Sequence, residues 1–539
     1  MFNRTRCLRA AAALASVSLL AGCGLLPSGG ADGEDVIVVG TTSAPSTLDP
    51  AGAWDGSWEL YRNVFQTLMS FPTGSTMPEP EAAESCRFED NTNKTYTCKI
   101  RDGLTFSDGD ALDAKAVKHT FDRTKKIANA PDAPPGLPGT MISNLENVEV
   151  KGDREVTFHL TKADATFPFV LATPAMSIVD PAEYPADKLR TGTELTGSGP
   201  YALDDYKVSD DKDARPLEAV LVKNENYKGP ADRKNSAVTI RYFQDSAGMV
   251  DALKAKQIDV TFRGLGAQDI VDLRTHDPEA GLQLVEGAGM EIRYLVFNPE
   301  DTWTKNPAVR KAVAQVVDRG AIAHNVYKDT VEPLYSMVPA GVASHTTGFF
   351  DTFGKPNAAK AKKILTEAGI NQKVPLTLWY TTDRYGSVTR PEFEEIKRQL
   401  EKSKLFDITL KSRSTWKVYQ GEYAKGEYPV FGRGWFPDFP DPDNFIAPFV
   451  GEHNVLGTPY NLPKIVNELL PQSRQEAKRA NVIPAFRQAQ EILVKDARLL
   501  PLWQGKQYVA ASEEIAGGER ALDPSTIMMM WELQRKTSW

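Results

Sequence analysis

The residues best suited to hold a ligand lie together at 432–445, which reads Gly-Arg-Gly-Trp-Phe-Pro-Asp-Phe-Pro-Asp-Pro-Asp-Asn-Phe. Proline lacks a backbone N–H and moves the residue before it out of the α region. We therefore predict a rigid loop that follows a strand at 428–431. The glycines would let a ligand backbone approach closely, and Trp435 would add a flat apolar wall. Asp438 would supply a fixed negative charge for a cationic group.

Two other interpretations of this stretch stay open at this point. The aromatic rings could fill a core while the carboxylates are simply solvated. The spacing of Asp438, Asp441 and Asp443 could also suggest calcium. The EF-hand pattern, however, requires a glycine and a distal glutamate at fixed positions, and neither is present.

The composition is that of a globular protein with more than one domain. The chain has 539 residues, enough for two or three domains. Its hydrophobic content of 41% and charged content of 25% are ordinary for a folded protein. The net charge of −8 argues against a nucleic-acid partner, because binding of phosphates needs a basic surface.

The N-terminus is typical of an export signal. Arginines without any acidic residue precede the apolar run 10–20, which is too short for a comfortable membrane span. The predicted signal peptide, 1–22, ends in Leu-Ala-Gly before Cys23, which is similar to a bacterial lipobox. We predict that Cys23 carries lipid and that 23–35 is a flexible tether. The protein would then be held on the outer face of the cell membrane; the alternative is an ordinary signal with a chance cysteine.

Two cysteines remain in the predicted mature domain. Cys86 and Cys98 flank a polar stretch that reads as a hairpin turn between two short strands. An even number of cysteines in an oxidising compartment favours a disulfide across this hairpin. Two free buried thiols are the alternative.

Apolar runs and amphipathic segments alternate along the chain, which predicts an α/β architecture. Asn306 and Asn357 stand where helix caps are expected. The predicted strands include 36–40, 147–150, 155–160, 293–298, 376–380 and 499–503. The predicted helices include 58–68, 113–126, one capped by Asn306, 357–368, 392–402 and 483–495.

Sequence motifs give little support for an enzyme. The chain has no Gly-x-Ser-x-Gly, His-Glu-x-x-His or phosphate-binding Gly-x-x-x-x-Gly-Lys-Ser/Thr motif. Its six histidines are scattered without metal-binding spacing. We expect no catalytic residues, no metal and no cofactor, and a lipid-anchored hydrolase is the alternative from another class.

Several segments, in order along the chain, resemble the extracytoplasmic solute-binding proteins of peptide ABC importers, the family 5 or dipeptide- and oligopeptide-binding group. Each segment alone is a weak match, but their order and the lipobox make the set specific. The matching segments are 47–50, 99–109, 197–201, 224–229, 309–312 with 318–319, 359–369 and 434–445.

The resemblance implies a two-lobed periplasmic-binding-protein-like fold of type II, with an extra α/β domain in the first lobe and a two-segment hinge. It also implies a monomer that traps a peptide between its lobes and delivers it to an ABC permease. The expected divisions are 36–62, 195–287 and 498–539 for lobe 1, 63–194 for the extra domain, and 288–497 for lobe 2.

The resemblance also implies which residues bind ligand. Asp438 matches the aspartate that holds the α-ammonium group of the peptide, and the segment 434–436 matches the backbone that pairs with the peptide. Arg433 lies beside that segment without a secure match. An oligosaccharide or a metal complex is the alternative ligand. The complete predicted set is Trp54, Asp55, Gly56, Arg433, Gly434, Trp435, Phe436 and Asp438.

Overall fold

The computed structural model describes residues 35–53, 55–134, 136–212, 214–275, 281–523 and 525–536. The predicted signal peptide, Cys23, nearly all of the tether and Trp54 lie outside these residues. None of the helices within the described ranges combines the length and the apolar character needed to cross a membrane.

Strands and helices alternate from the first described residue to the central long strand. They are β1 (Val36–Thr41), α1 (Ser57–Val64), β2 (Met69–Ser70), β3 (Glu79–Pro80), β4 (Ala83–Phe88), β5 (Thr95–Ile100), α2 (Ala114–Ala128), β6 (Leu145–Lys151), β7 (Glu155–Leu160), α3 (Phe167–Val170), β8 (Tyr201–Val208), β9 (Pro216–Lys223), β10 (Ala237–Tyr242), α4 (Ser246–Lys254), β11 (Val260–Phe262), α5 (Ala267–Arg274) and β12 (Leu282–Phe297).

The same alternation continues to the end of the described chain. The elements are α6 (Pro307–Val316), α7 (Arg319–Asn325), β13 (Val331–Pro333), α8 (Gly348–Phe353), α9 (Ala358–Glu367), β14 (Val374–Thr381), α10 (Thr389–Lys402), β15 (Phe406–Arg413), α11 (Trp416–Tyr423), β16 (Val430–Trp435), α12 (Leu470–Gln475), α13 (Ile483–Asp496), β17 (Leu499–Ser512), β18 (Ile515–Ala516) and β19 (Gln534–Arg535).

One large mixed sheet runs through the molecule in the order β15-β14-β16-β12-β17-β11-β1-β10-β9-β8. Its two longest strands, β12 and β17, are antiparallel and pair from Leu282↔Ser512 to Val296↔Leu499. These two strands lie between the half of the sheet that contains β1 and the half that contains β14 and β16. Two long strands crossing between halves are the form expected of a two-segment hinge.

A separate antiparallel sheet, in the order β4-β5-β7-β6, belongs to the predicted extra domain. Cys86 on β4 lies directly opposite Cys98 on β5, and the two are joined by a disulfide. The predicted hairpin and its disulfide are therefore confirmed. Asp113 caps α2 by accepting hydrogen bonds from the N–H groups of Lys115 and Ala116.

The half that contains β16 has an apolar core on each face of the sheet. Side chains alternate along β12, so Leu295 and Phe297 join one core while Tyr294 and Val296 join the other. This explains why the strand ends in the uninterrupted apolar run 294–297.

The predicted helix at 58–68 is shorter than expected, because α1 ends at Val64. The carbonyl of Val64 accepts a hydrogen bond from the N–H of Gly199, with the two atoms 2.7 Å apart. A side chain on Gly197 or Gly199 would overlap the backbone of Val64, so both glycines permit this approach. A contact with a distant segment therefore terminates the helix.

The predicted loop at 432–445 also begins later than expected. Residues up to Trp435 belong to β16, with Gly434 opposite Arg293 and Trp435 opposite Ile292. The first proline is Pro437, so every residue before it can still donate to the ladder. Pairing with β12 thus extends the strand to Trp435, two residues before that proline.

Candidate ligand-binding site

The backbone of β16 presents an edge for an extended ligand. The neighbouring strand β14 pairs with the first two residues of β16. At the next position, the carbonyl of Gly432 accepts a hydrogen bond of 2.9 Å from the hydroxyl of Tyr419, on the side away from β12. Backbone groups of alternate residues point to the same side of a strand. Gly434 therefore directs its N–H and C=O groups toward this edge.

Asn444 organises the loop that follows the strand. Its Oδ1 accepts hydrogen bonds from the backbone N–H of Asp438 at 2.9 Å and from Nε1 of Trp435 at 3.2 Å. Its Nδ2 donates to Oδ2 of Asp438 at 2.8 Å. The Trp435 ring also meets Phe449 edge-on, with centroids 5.3 Å apart. One buried amide therefore orients both the indole and the carboxylate, a role that sequence reasoning missed.

The other two carboxylates of the loop are counter-ions within the fold. Asp441 accepts hydrogen bonds from Nε and Nη2 of Arg479, at 2.7 and 2.8 Å. Asp443 is bound in the same bidentate way by Arg474, at 2.9 and 3.0 Å. Both aspartates are buried, so these charge-assisted pairs fix the path of the loop. Their oxygens serve arginines, which removes the basis for the calcium interpretation.

Arg293, on β12, is a second residue that sequence reasoning missed. Its guanidinium forms an ion pair of 2.7 Å with Glu291 and lies 4.1 Å from the ring centroid of Tyr385. It also lies 5.4 Å from the ring of Phe436, which is partly exposed. A side chain on Gly434 would overlap this guanidinium, so the glycine makes room for the arginine. The available signal was an arginine directly before the apolar run 294–297.

Arg433 lies inside the same half of the molecule. Its guanidinium donates to the carbonyl of Val455 and lies 4.9 Å from the ring of Tyr423 and 5.7 Å from that of Trp416. The residue is buried. It therefore packs in the interior of this half, and its predicted contact with ligand stays a prediction.

The loop also contacts the predicted extra domain. Phe439 meets Phe169 with ring centroids 5.8 Å apart. The carbonyl of Arg474 accepts hydrogen bonds from the N–H of Ala165 at 2.8 Å and from Nδ2 of Asn93 at 3.3 Å. These contacts join the half of the molecule that contains β16 to residues of the predicted extra domain.

The predicted contribution of the first half is seen only in part, because Trp54 lies outside the described residues. Asp55 accepts hydrogen bonds from the N–H and hydroxyl of Ser57, at 2.9 and 2.6 Å, where α1 begins. A side chain on Gly56 would overlap the backbone of Ser43. The backbone is held closely here, while contact of these residues with ligand stays a prediction.

Comparisons with known proteins agree with this architecture. Residues 77–456 match the family described as bacterial extracellular solute-binding proteins, family 5 Middle. The chain is 25% identical over 501 residues to the probable D,D-dipeptide-binding periplasmic protein DdpA of Escherichia coli K12, covering 90% of this chain and 91% of that protein. It is 26% identical to heme-binding protein A of Haemophilus influenzae, covering 90% of each.

Among solved structures, the fold is similar to that of the periplasmic binding protein DppA from Helicobacter pylori in complex with the peptide STSA. The TM-score is 0.75 at 21% sequence identity, with 93% of this chain and 98% of that chain covered. The similarity confirms the predicted two-lobed α/β fold.

Proposed function

Because the chain belongs to the bacterial extracellular solute-binding proteins of family 5, we propose that it captures short, extended peptides and delivers them to the permease of an ABC importer. The observation that carries this proposal is the edge of β16 beyond Gly432, which leads directly to Asp438. An extended peptide could add to that edge as a further strand. Main-chain pairing of this kind reads few side chains, so it suits a carrier of varied peptides.

We propose that Asp438 binds the α-ammonium group of the peptide. Asn444 orients its carboxylate, and the neighbouring Asp441 and Asp443 are already neutralised by arginines. A charge-assisted hydrogen bond in a closed cleft is among the stronger contacts that a site can make. Trp435 and Phe436 would line the path of the peptide beside it.

The opposite wall of the cleft would come from Trp54, Asp55 and Gly56. We propose that lobe 1 comprises 36–62, 195–287 and 498–539, with 63–194 as its extra domain and 288–497 as lobe 2. The contact of Phe439 with Phe169 supports a closed arrangement in which these parts meet around the ligand.

We further propose that the protein works outside the cytoplasm as a monomer, anchored through lipid on Cys23 after cleavage of the signal peptide. It would be a binding protein and not an enzyme, with neither a nucleic-acid partner nor a cofactor. The acidic composition and the lack of hydrolase motifs support these points.

Thermal-shift measurements on the purified full-length chain test the ligand class. The panel contains di- to pentapeptides, their N-acetylated forms, oligosaccharides, nickel–histidine and haem. A ligand at about 1,000 times its Kd stabilises the folded state by roughly 4 kcal/mol, which gives a measurable shift. Peptides should raise the midpoint and acetylated peptides should do so much less. A response to sugars or metal complexes alone would reject the proposal.

The variant Asp438→Asn tests the ammonium contact in the same panel. Loss of the charge should weaken binding of a free-amine peptide by roughly 2–5 kcal/mol, the range for a buried charge pair. Binding of the acetylated peptide should change little, because it carries no ammonium group. The matched control is Asp407→Asn, an exposed aspartate on β15, which should leave both affinities unchanged.

A further inference from the structure

Three carboxylates that the proposed peptide site does not use converge at one place in the fold. Asp108 and Asp110 lie in the turn between β5 and α2, and Asp180 comes from the segment between α3 and β8. One carboxylate oxygen from each residue lies within 4.8 Å of the other two. Asp108 and Asp110 are exposed, whereas Asp180 is only 2% exposed. Two distant segments thus bring three negative charges together beside a buried position.

The main chain holds both segments in place without help from the carboxylates. The turn is closed by the N–H of Phe106, which donates to the carbonyl of Asp110 at 2.8 Å. The other segment is fixed by the N–H of Val179, which donates to the hydroxyl of Thr120 at 3.0 Å. The fold therefore brings the carboxylates together despite their mutual repulsion.

One buried oxygen of Asp180 has no donor from the chain. Its Oδ1 accepts from the N–H of Ala182 at 2.8 Å, but its Oδ2 meets no N–H or hydroxyl donor of the described residues. Burial raises the pKa of Asp180, and the adjacent carboxylates of Asp108 and Asp110 raise it further. Asp108 and Asp180 can bond to each other only by sharing a proton or by binding a cation between them. A buried acceptor of this kind needs a specific explanation.

Lysine and arginine side chains do not neutralise the cluster. Within the described part of the chain, no ion pair includes any of its three carboxylates, whereas Asp102, on the same connection, pairs with Arg154 at 3.6 Å. The buried aspartates of the loop after β16, by contrast, are each neutralised by an arginine. An uncompensated buried charge is costly, so the counter-charge of this cluster has to come from solution.

We infer that Asp108, Asp110 and Asp180 bind one calcium ion. Calcium takes oxygen ligands at about 2.3–2.6 Å, so two oxygens on one ion can lie up to about 5 Å apart. The three carboxylate oxygens meet this limit. The exposure of Asp108 and Asp110 leaves room for water molecules to complete the coordination. Magnesium is less suited, because it demands a smaller octahedral shell and usually keeps several of its waters.

The ion would join separate parts of the chain. The N–H of Ser107 donates to the carbonyl of Gly197 at 2.8 Å, so the turn also contacts the segment that leads out of the predicted extra domain. A calcium ion would tie this turn to the segment at Asp180 and stabilise the folded state. The site is independent of the class of ligand that the protein carries. Sequence spacing could not show it, because Asp180 is far along the chain from the other two aspartates.

Thermal melting of the full-length chain tests the site, with CaCl₂ as the probe after calcium has been removed with EDTA. Calcium at about 10 mM, above the roughly 0.1–1 mM dissociation constants of extracellular calcium modules, should raise the melting midpoint. The same concentration of MgCl₂ should raise it less. Isothermal titration calorimetry with CaCl₂ should show one ion bound per chain.

Two variants remove ligands from the site. Asp108→Asn and Asp180→Asn should each weaken calcium binding at least about tenfold. In EDTA, Asp180→Asn should melt no lower than the unmodified chain, because its new amide can donate to the Asp108 carboxylate. Asp108→Asn changes an exposed residue, so it keeps the test valid if Asp180→Asn fails to fold.

Asp102→Asn is the matched control, because it removes the same charge from an exposed aspartate outside the cluster. It should bind calcium as the unmodified chain does. An equal loss of calcium binding in this variant would show general charge screening and overturn the inference. An unmodified chain that does not respond to calcium would also overturn it and leave a shared proton as the counter-charge. Neither result affects the proposed capture of peptides.

Discussion

Replacement of Asn444 by alanine should destabilise the protein and weaken its binding of ligand together. The amide accepts hydrogen bonds from the N–H of Asp438 and from the Trp435 indole, donates one to the Asp438 carboxylate, and is only 4% exposed. Alanine would leave the N–H of Asp438 and the indole N–H without their acceptor. Each abandoned buried donor costs about 1–3 kcal/mol, and the partial exposure of both residues lowers the sum. We expect a loss of about 2–4 kcal/mol in the free energy of unfolding.

Urea denaturation measures this loss, and the slope of the transition shows whether the folded state stays compact. The control is Asn461→Ala on the same lobe, where an exposed amide donates one hydrogen bond of 3.0 Å to Glu452. Its loss should stay within about 0.5 kcal/mol. If the two variants lose equal stability, Asn444 does not organise the loop as argued.

Calorimetry on the same variant separates orientation from stability. Because Asn444 directs the carboxylate of Asp438, its removal should weaken binding of a free-amine peptide more than binding of the acetylated form. Equal weakening of both would mean that Asn444 supports the loop in general but not the ammonium contact.

Three further predictions follow from other contacts. Replacing Cys86 and Cys98 by serine removes a disulfide that closes a loop with a sequence separation of 12 residues. Urea denaturation should show a loss of about 3 kcal/mol in the free energy of unfolding, and an unchanged value would contradict this prediction. Phe439→Ala removes the ring contact with Phe169. Calorimetry should show that the affinities for free-amine and acetylated peptides fall by similar factors, and a fall for the free-amine peptide alone would contradict this prediction. Burial raises the pKa of Asp523, so the folded state binds that proton more tightly than the unfolded state does. The free energy of unfolding therefore falls as pH rises from the unfolded pKa near 3.8 through the higher pKa of the folded state. Asp523→Asn should flatten that fall, as measured by urea denaturation at several pH values, and an unchanged slope would contradict the assignment.

Features governed by local chemistry were predictable from the sequence. Asn306 and Asn357 cap α6 and α9 as expected, because a side-chain amide next to free N–H groups needs no distant partner. The hairpin that carries Cys86 and Cys98 is equally local. The order of matching segments then led to the two-lobed fold.

Features that depend on distant contacts were not predictable. The end of α1 at Val64 is set by Gly199, which lies far along the chain. The strand through Trp435 is set by its pairing with β12. Arg293 appeared only as part of a strand, because its neighbours Tyr385 and Phe436 come from other parts of the sequence.

The three aspartates of the loop show why composition alone could not separate their roles. Asp441 and Asp443 have the same side chain as Asp438 and lie in the same short loop. Arg479, just before α13, pairs with Asp441, and Arg474, in α12, pairs with Asp443. Burying those pairs is favourable only when their geometry is well satisfied, and bidentate contacts provide this. The loop is thus rigid before ligand arrives, which lowers the entropy lost on binding. Rigidity of this kind lets Asn444 hold Asp438 in one orientation, as the proposed contact with an ammonium group requires.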